Sequence, residues 1–103
     1  MDRIAMLKEV LEQSPGDAFA RYGLAMEYSK AGQIEASLAE FKKLLELHPD
    51  YTAGYFMAAQ TLARADRADE ARQMLRDGIA SAARTGNQHA KMEMEGMLAE
   101  LGE

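Results

Sequence analysis

The chain has 103 residues and no cysteine, 48% of the residues are hydrophobic and 28% charged, and the formal net charge is −5. A chain of this length and composition forms one folded domain with a single core, and it holds no disulfide or thiolate metal site. The acidic balance argues against a nucleic-acid partner, because neutralising phosphates requires a clustered basic face.

The first half of the chain opens with two predicted helices. The first covers residues 2–13 and is stopped by the Ser-Pro-Gly sequence at 14–16. The apolar residues that recur on one face of this helix are Ile4, Leu7, Val10 and Leu11. Asp17 is placed to cap a second helix over about 17–31. Gly32 ends that helix, and we expect it to adopt the positive φ that glycine reaches at low cost.

A third helix is predicted over 34–47, since Pro49 cannot continue it, and a fourth over 51–65. Phe41 and Leu44 face inward on the third helix. The connections between predicted helices have about two to four residues, which favours antiparallel neighbours.

The fifth and sixth helices are predicted over 67–84 and 88–101, separated by a Thr-Gly-Asn turn at 85–87 that carries its own cap. Asp66 followed by Asp69 resembles a capping box, and we expect it to open the fifth helix. The predicted fold class is therefore all-α, an α-α superhelix of antiparallel helix hairpins with about six helices.

The same sequence pattern recurs at a spacing of 34 residues. The matching pairs include Pro15 and Pro49, Tyr22 and Phe56, Ala25 and Ala59, Lys30 and Arg64, Phe41 and Leu75, and Leu45 and Ile79. A period near 34 filled with helical pattern is typical of a helix-turn-helix solenoid. Such a fold presents a surface for another molecule to bind.

The chain resembles the tetratricopeptide repeat (TPR) family at several independent positions. In the unit that begins at Ala18, the family's small residue and aromatic of the first helix are Ala25 and Tyr28, the turn glycine is Gly32 and the terminating proline is Pro49. The second unit departs from the pattern, because Asp66 replaces the turn glycine and the final proline is absent. Further small residues fall on Ser37, Ala59, Ala71 and Gly78, where we expect helices to approach closely.

The resemblance implies a single TPR-like domain over 1–103. Its parts are an N-terminal capping helix at 1–14, repeats at 18–51 and 52–84, and a C-terminal capping helix at 87–101. The first helix is either a natural cap of the stack or the remainder of a longer array. Met1 and the polar end of the chain favour a complete small protein.

What the resemblance implies about function is a non-enzymatic protein-interaction module. In the family, ligands lie in a concave groove lined by the first helix of each unit. The corresponding positions here are Phe19, Tyr22, Met26, Lys30, Phe56, Gln60 and Arg64. Aromatic residues with methionine make an adaptable apolar floor for a peptide or helix of a partner protein, and the two cations could meet a carboxylate.

Each part of this groove also has a plainer interpretation. Tyr22 and Phe56 could be core residues, and Lys30 and Arg64 could be ordinary solvated charges near helix ends. The last helix could fold over the groove through methionines 94 and 97. The alternatives for the whole protein are a self-associating structural module that forms a homodimer, or a secretion-type chaperone.

No residues point to catalysis, a metal or a cofactor. His48 and His89 are not at metal-ligand spacing, and there is neither a nucleophile elbow nor a glycine-rich phosphate loop. No apolar run approaches the roughly twenty residues that span a bilayer, and the N-terminus lacks the pattern of a secretory signal. We expect no membrane contact and a cytoplasmic location.

Overall fold

A computed structural model describes residues 2–102, which form six α-helices and no strand. The helices are α1 Arg3–Gln13, α2 Ala18–Lys30, α3 Ile34–Leu47, α4 Thr52–Arg64, α5 Ala68–Thr85 and α6 Gln88–Glu100. The all-α fold class is confirmed, and every predicted helix is present. The chain divides between His48 and Pro49 into two compact units, which hold α1 to α3 and α4 to α6.

Polar side chains cap the N-termini of α1, α2 and α6. The sequence predicts the caps of α2 and α6. The Asp17 carboxylate accepts a hydrogen bond of 2.9 Å from the Ala20 backbone N–H at the start of α2. The Asn87 side chain accepts one of 3.1 Å from Ala90 at the start of α6. Asp2 does the same for α1. Each cap satisfies a backbone donor that has no partner within its helix.

The predicted capping box at Asp66 is wrong. Helix α5 begins at Ala68 with Arg67 as its N-cap residue, and no side chain caps it. Asp66 instead has a φ of +64°, close to the +77° of Gly32 one repeat earlier. In both turns the following residue donates a 2.9 Å hydrogen bond to the carbonyl five positions before it. The turn thus keeps its shape because aspartate is among the residues that tolerate a positive φ.

In the first unit, the core lies between α2 and α3. Phe41 and Leu44 are almost completely buried, as predicted, and Ala25 and Ser37 have no exposed surface. The Ser37 hydroxyl donates a 2.7 Å hydrogen bond to the Ala25 carbonyl, so two small buried residues join the two helices directly. Helix α1 packs on α2 but contains no buried residue.

In the second unit, α5 lies against both α4 and α6 at Gly78. A Cβ added to this glycine would lie 2.5 Å from the Met94 sulfur and 2.6 Å from the Tyr55 Cβ. Met94, like Leu75, is completely buried. The expected close approach of helices at a small residue is therefore present here, and no larger side chain fits without displacing a neighbour.

Tyr55 fixes the start of the second unit. Its hydroxyl donates a 2.6 Å hydrogen bond to the Pro49 carbonyl. Burial raises the pKa of the Tyr55 hydroxyl above its ordinary value, although the neighbouring Arg84 guanidinium acts in the opposite direction. Nearby, the hydroxyls of Thr52 and Ser81 lie 3.0 Å apart in the buried contact of α4 with α5.

Candidate peptide-binding clefts

Three of the four predicted groove residues of the first unit, Phe19, Tyr22 and Met26, line one open cleft, which we call the first cleft. It has a volume of about 320 Å³ and lies between α1 and α2. Its residues from α1 are Arg3, Leu7 and Val10, and those from the start and body of α2 are Asp17, Phe19, Ala20, Tyr22, Gly23, Met26 and Glu27. Most of the wall is apolar, while Arg3, Asp17 and Glu27 bring charges of both signs.

The two aromatic residues of the first cleft have different environments. Phe19 is 75% exposed, so its ring is not part of the core, where aromatic residues are usually found. Tyr22 is partly buried, and its ring meets that of the buried Phe41 edge to face at 6.4 Å. Tyr22 therefore belongs to both the core and the cleft, while Phe19 contributes to the surface alone.

Lys30 does not line the first cleft. Its ammonium lies 3.1 Å from the Glu27 carboxylate, which also lies 3.4 Å from the guanidinium of Arg3. Glu27 is the less exposed member of both pairs. Two surface cations of the same unit therefore interact with the Glu27 carboxylate, and each ion pair contributes modestly to stability.

Two of the three predicted groove residues of the second unit, Phe56 and Gln60, line a second cleft of about 390 Å³ between α4 and α6. The opposite wall comes from α6, namely Met92, Glu93, Gly96, Met97 and Glu100. Helix α6 thus forms a wall beside Phe56 and leaves the space between them open. Arg64 is exposed in the last turn of α4 and is not among the lining residues.

The α6 wall was not predicted from the sequence, apart from Met97. A signal for it exists, because Glu93, Gly96, Met97 and Glu100 recur at the spacing of one helix face. In the first cleft, the contribution of Leu7 and Val10 follows similarly from the predicted apolar face of the first helix. That face packs on α2 at Leu7 and leaves Val10 41% exposed.

Residues of catalytic or metal-binding character are dispersed within the described part of the chain. The His48 ring contacts the Gly16 carbonyl at 3.0 Å at the end of the first unit, and His89 lies on the surface of α6 beside Glu93. Between residues 2 and 102, no three histidine or carboxylate side chains are grouped to hold a metal ion. No helix in that range has both the length and the apolar character needed to cross a membrane.

Comparison with known proteins agrees with this architecture. The tetratricopeptide repeat profile matches residues 28–94. A TPR repeat-containing protein of Pseudomonas aeruginosa is 30% identical over 95 residues, which are 92% of this chain and 90% of the relative. The solution structure of a tetratricopeptide repeat domain protein from Salinibacter ruber has a TM-score of 0.81 at 32% identity, covering 86% of this chain and 90% of that one.

A more distant likeness shows the fold alone. The TPR2B domain of yeast Sti1, in a complex with pHsp70, has a TM-score of 0.87 at 17% identity and covers 95% of this chain and 78% of that one. The profile match and the bacterial relatives identify the class, a helical-repeat module for protein interaction. The chain belongs to the tetratricopeptide repeat family. Proteins of this family and fold are generally non-enzymatic.

Proposed function

We propose that the protein binds a peptide or helical segment of a partner protein through the residues of α2 and α4 that line the two clefts. One observation carries this proposal. Tyr22 and Met26 in the first unit, and Phe56 and Gln60 one repeat later, line an open cleft in their own unit. Positions that the repeat makes equivalent thus line an open cleft in each unit, as expected where each repeat supplies contacts to a ligand.

The composition of these clefts favours a protein ligand. Phe19, Met92 and Met97 present aromatic and thioether groups that adapt to differently shaped apolar side chains. Each cleft is open to solvent along one side and has the volume for one or two anchoring side chains. An amphipathic helix or extended segment supplies such anchors at regular intervals. The Sti1 domain, which shares the fold, is found in a complex with pHsp70, and this supports a protein ligand.

A selection from a displayed library of random peptides tests the proposal. We expect enriched peptides to shift the backbone amide signals of α2, α4 and α6 in NMR titrations. Phe19→Ala and Phe56→Ala should each weaken binding by about tenfold or more, since a truncated aromatic anchor costs upward of about 1.4 kcal/mol. Phe19→Ala should leave thermal stability unchanged, because the ring is exposed.

The matched control is Leu47→Ala, which truncates a half-exposed apolar side chain at the end of α3. It lines neither cleft, and we expect it to bind selected peptides like the original protein. The proposal is contradicted if the selection enriches nothing, or if enriched peptides shift the outer faces of α3 and α5 and bind the Phe19 and Phe56 variants unchanged.

A second candidate function, self-association, rests on α1. This helix contains no buried residue and exposes Met6 and Val10, at 51% and 41%. A pair of such helices from two copies would cover this apolar surface in a symmetric dimer. Light scattering should then give a mass that rises with protein concentration and falls back to the monomer mass in Met6→Lys. A monomer mass at every concentration would remove this candidate.

A further inference from the structure

The second cleft has a chemical character that the first lacks. Two carboxylates, Glu93 and Glu100, stand on its α6 wall, and no cation is among the described residues that line it. The rest of the wall is Phe56, Gln60, Met92, Gly96 and Met97. The first cleft contains both signs of charge, with Arg3 paired to Glu27 at 3.4 Å. A ligand of defined charge is therefore indicated for the second cleft.

The two carboxylates are spaced to meet two cations of one ligand. Glu93 and Glu100 are seven positions apart on α6, which places them about 10 Å apart along one helix face. Gly96 and Met97 lie between them on the same wall. In an extended peptide, residues two positions apart share a face and residues four positions apart are about 13 Å apart, a separation that long lysine or arginine side chains can adjust to meet the two carboxylates. The arrangement therefore matches an apolar residue with a cation on each side of it.

Gly96 provides the space for that apolar residue. Glycine is the least favourable residue inside a helix after proline, so its place in the middle of α6 needs a reason. Packing supplies the reason at Gly78, where a Cβ would collide with Met94 and Tyr55, but a Cβ at Gly96 would meet nothing within 4 Å. The open position faces the cleft. The missing side chain therefore lets a ligand approach the helix backbone.

We infer that the second cleft binds a cationic segment of a partner protein, in which one large apolar side chain sits over Gly96 between lysines or arginines that contact Glu93 and Glu100. This inference rests on the proposed function and specifies the ligand's chemistry in one of the two clefts. Glu93 now lies 3.3 Å from the exposed ring of His89, and a ligand cation would replace that contact. The net charge of −5 adds a favourable long-range attraction for such a segment.

Three labelled peptides test the inference by fluorescence anisotropy. Each has one phenylalanine with two identical residues, one two positions before it and one two positions after it, which are lysine, glutamine or glutamate. We expect the lysine peptide to bind about tenfold more tightly than the glutamine peptide, and the difference to shrink as salt screens the partly exposed charges. Glu93→Gln combined with Glu100→Gln should remove the preference. Glu95→Gln, the same change on α6 outside the cleft, should retain it.

A second pair of variants tests the place of binding. Gly96→Leu puts a side chain into the open cleft from a position where an added Cβ meets nothing within 4 Å, and it should abolish binding of the lysine peptide while helicity and thermal stability persist. Ala99→Leu makes a similar change at an exposed position of α6 that does not line the cleft. It should bind like the original protein.

The outcomes separate this inference from the function on which it rests. Equal binding of all three peptides, abolished by Gly96→Leu, would overturn the cationic preference and leave the cleft as a peptide site. A lysine preference that survives Gly96→Leu would show general attraction to an acidic protein and would overturn the inference. If none of the three peptides binds, the inference fails, while ligands from the unbiased selection that contact α2 and α4 would still uphold the proposed function.

Discussion

The helices at the two ends of the described chain, α1 and α6, are packed to very different degrees. Helix α6 buries Met94 completely and Leu98 to 6% exposure. The Arg72 guanidinium of α5 also donates two hydrogen bonds, of 3.2 and 2.7 Å, to the Leu101 carbonyl at its C-terminal end. Helix α1 has a comparable length and a capping aspartate, yet it buries no residue. Their difference in stability should therefore come from tertiary contacts.

The comparison shows what an apolar pattern does and does not determine. An isolated helix of about a dozen residues is marginal in water, so both end helices depend on contact with a neighbour. The pattern of α1 gives the side that faces α2, as Leu7 beside Gly23 shows. It does not give the fraction of that side which the neighbour covers. Helix α6 buries Met94 and Leu98 because it contacts α5 closely at Gly78 and also contacts α4.

The largest expected effect comes from emptying the core below α6. Met94→Ala should lower the free energy of unfolding by about 2–5 kcal/mol, because it leaves a cavity beside Gly78 and Tyr55. Met92→Ala removes the same side chain from a position that is 69% exposed and should cost less than about 0.5 kcal/mol. Urea denaturation followed by circular dichroism measures both. Equal losses of unfolding free energy in the two variants would mean that the burial of Met94 does not stabilise α6, which would then be as weakly attached as α1.

Replacing glycine with alanine should change the free energy of unfolding in opposite directions at two positions. Gly78 of α5 packs against the buried side of α6, whereas Gly96 lies on the open side of α6. Gly78→Ala should cost about 1–3 kcal/mol, because its Cβ would overlap the Met94 sulfur and the Tyr55 Cβ. Gly96→Ala should raise the free energy of unfolding by up to about 1 kcal/mol, since it improves helix propensity in open space. Thermal and urea unfolding of the two variants decide this. A stabilising Gly78→Ala would mean that α5 and α6 are less closely packed than described.

The fold could be predicted from the sequence to a large extent because the 34-residue period and the helix-ending glycine and prolines report on backbone geometry directly. Asp66 shows where local reading fails. Its spacing from Asp69 fits a capping box, but the turn requires a positive φ at that position, as Gly32 shows one repeat earlier. The backbone geometry of the turn therefore determines the conformation of Asp66, and the Asp66–Asp69 spacing does not predict it.

The candidate site could be predicted less well. The sequence predicts one groove, whereas Phe19, Tyr22 and Met26 line one cleft and Phe56 and Gln60 line another. The predicted basic positions, Lys30 and Arg64, line neither cleft. The acidic wall with Gly96 lies on α6, whose sequence departs from the repeat pattern, so no repeat position identifies it. Its role depends on the depth to which α6 packs beside α4, which a single sequence does not specify.

The hydroxyl of Tyr55 should make the second unit sensitive to alkaline pH. Tyr55→Phe removes the hydrogen bond to Pro49 and should cost about 1 kcal/mol at neutral pH. Because burial raises the pKa of Tyr55 in the folded protein, the hydroxyl's contribution is fully present below the unfolded tyrosine's pKa of about 10 and is lost as the pH rises toward the folded value. The free energy of unfolding of the original protein should therefore fall more steeply above about pH 10 than that of Tyr55→Phe. Parallel pH profiles would contradict this.

The smallest expected effects on stability come from removing two matched N-caps, one on the end helix α1 and one on the interior helix α2. Asp2 and Asp17 each accept a hydrogen bond from the backbone N–H three residues later, at 2.8 and 2.9 Å. Asp17→Ala should lower the free energy of unfolding by about 1 kcal/mol, because α2 is part of the first unit's core. Asp2→Ala should leave global stability nearly unchanged and accelerate amide hydrogen exchange within Arg3–Gln13 alone, since α1 has no buried residue of its own to expose when it opens. If Asp2→Ala lowers global stability as much as Asp17→Ala does, α1 unfolds together with the core, and its lack of buried residues does not make it an independent element.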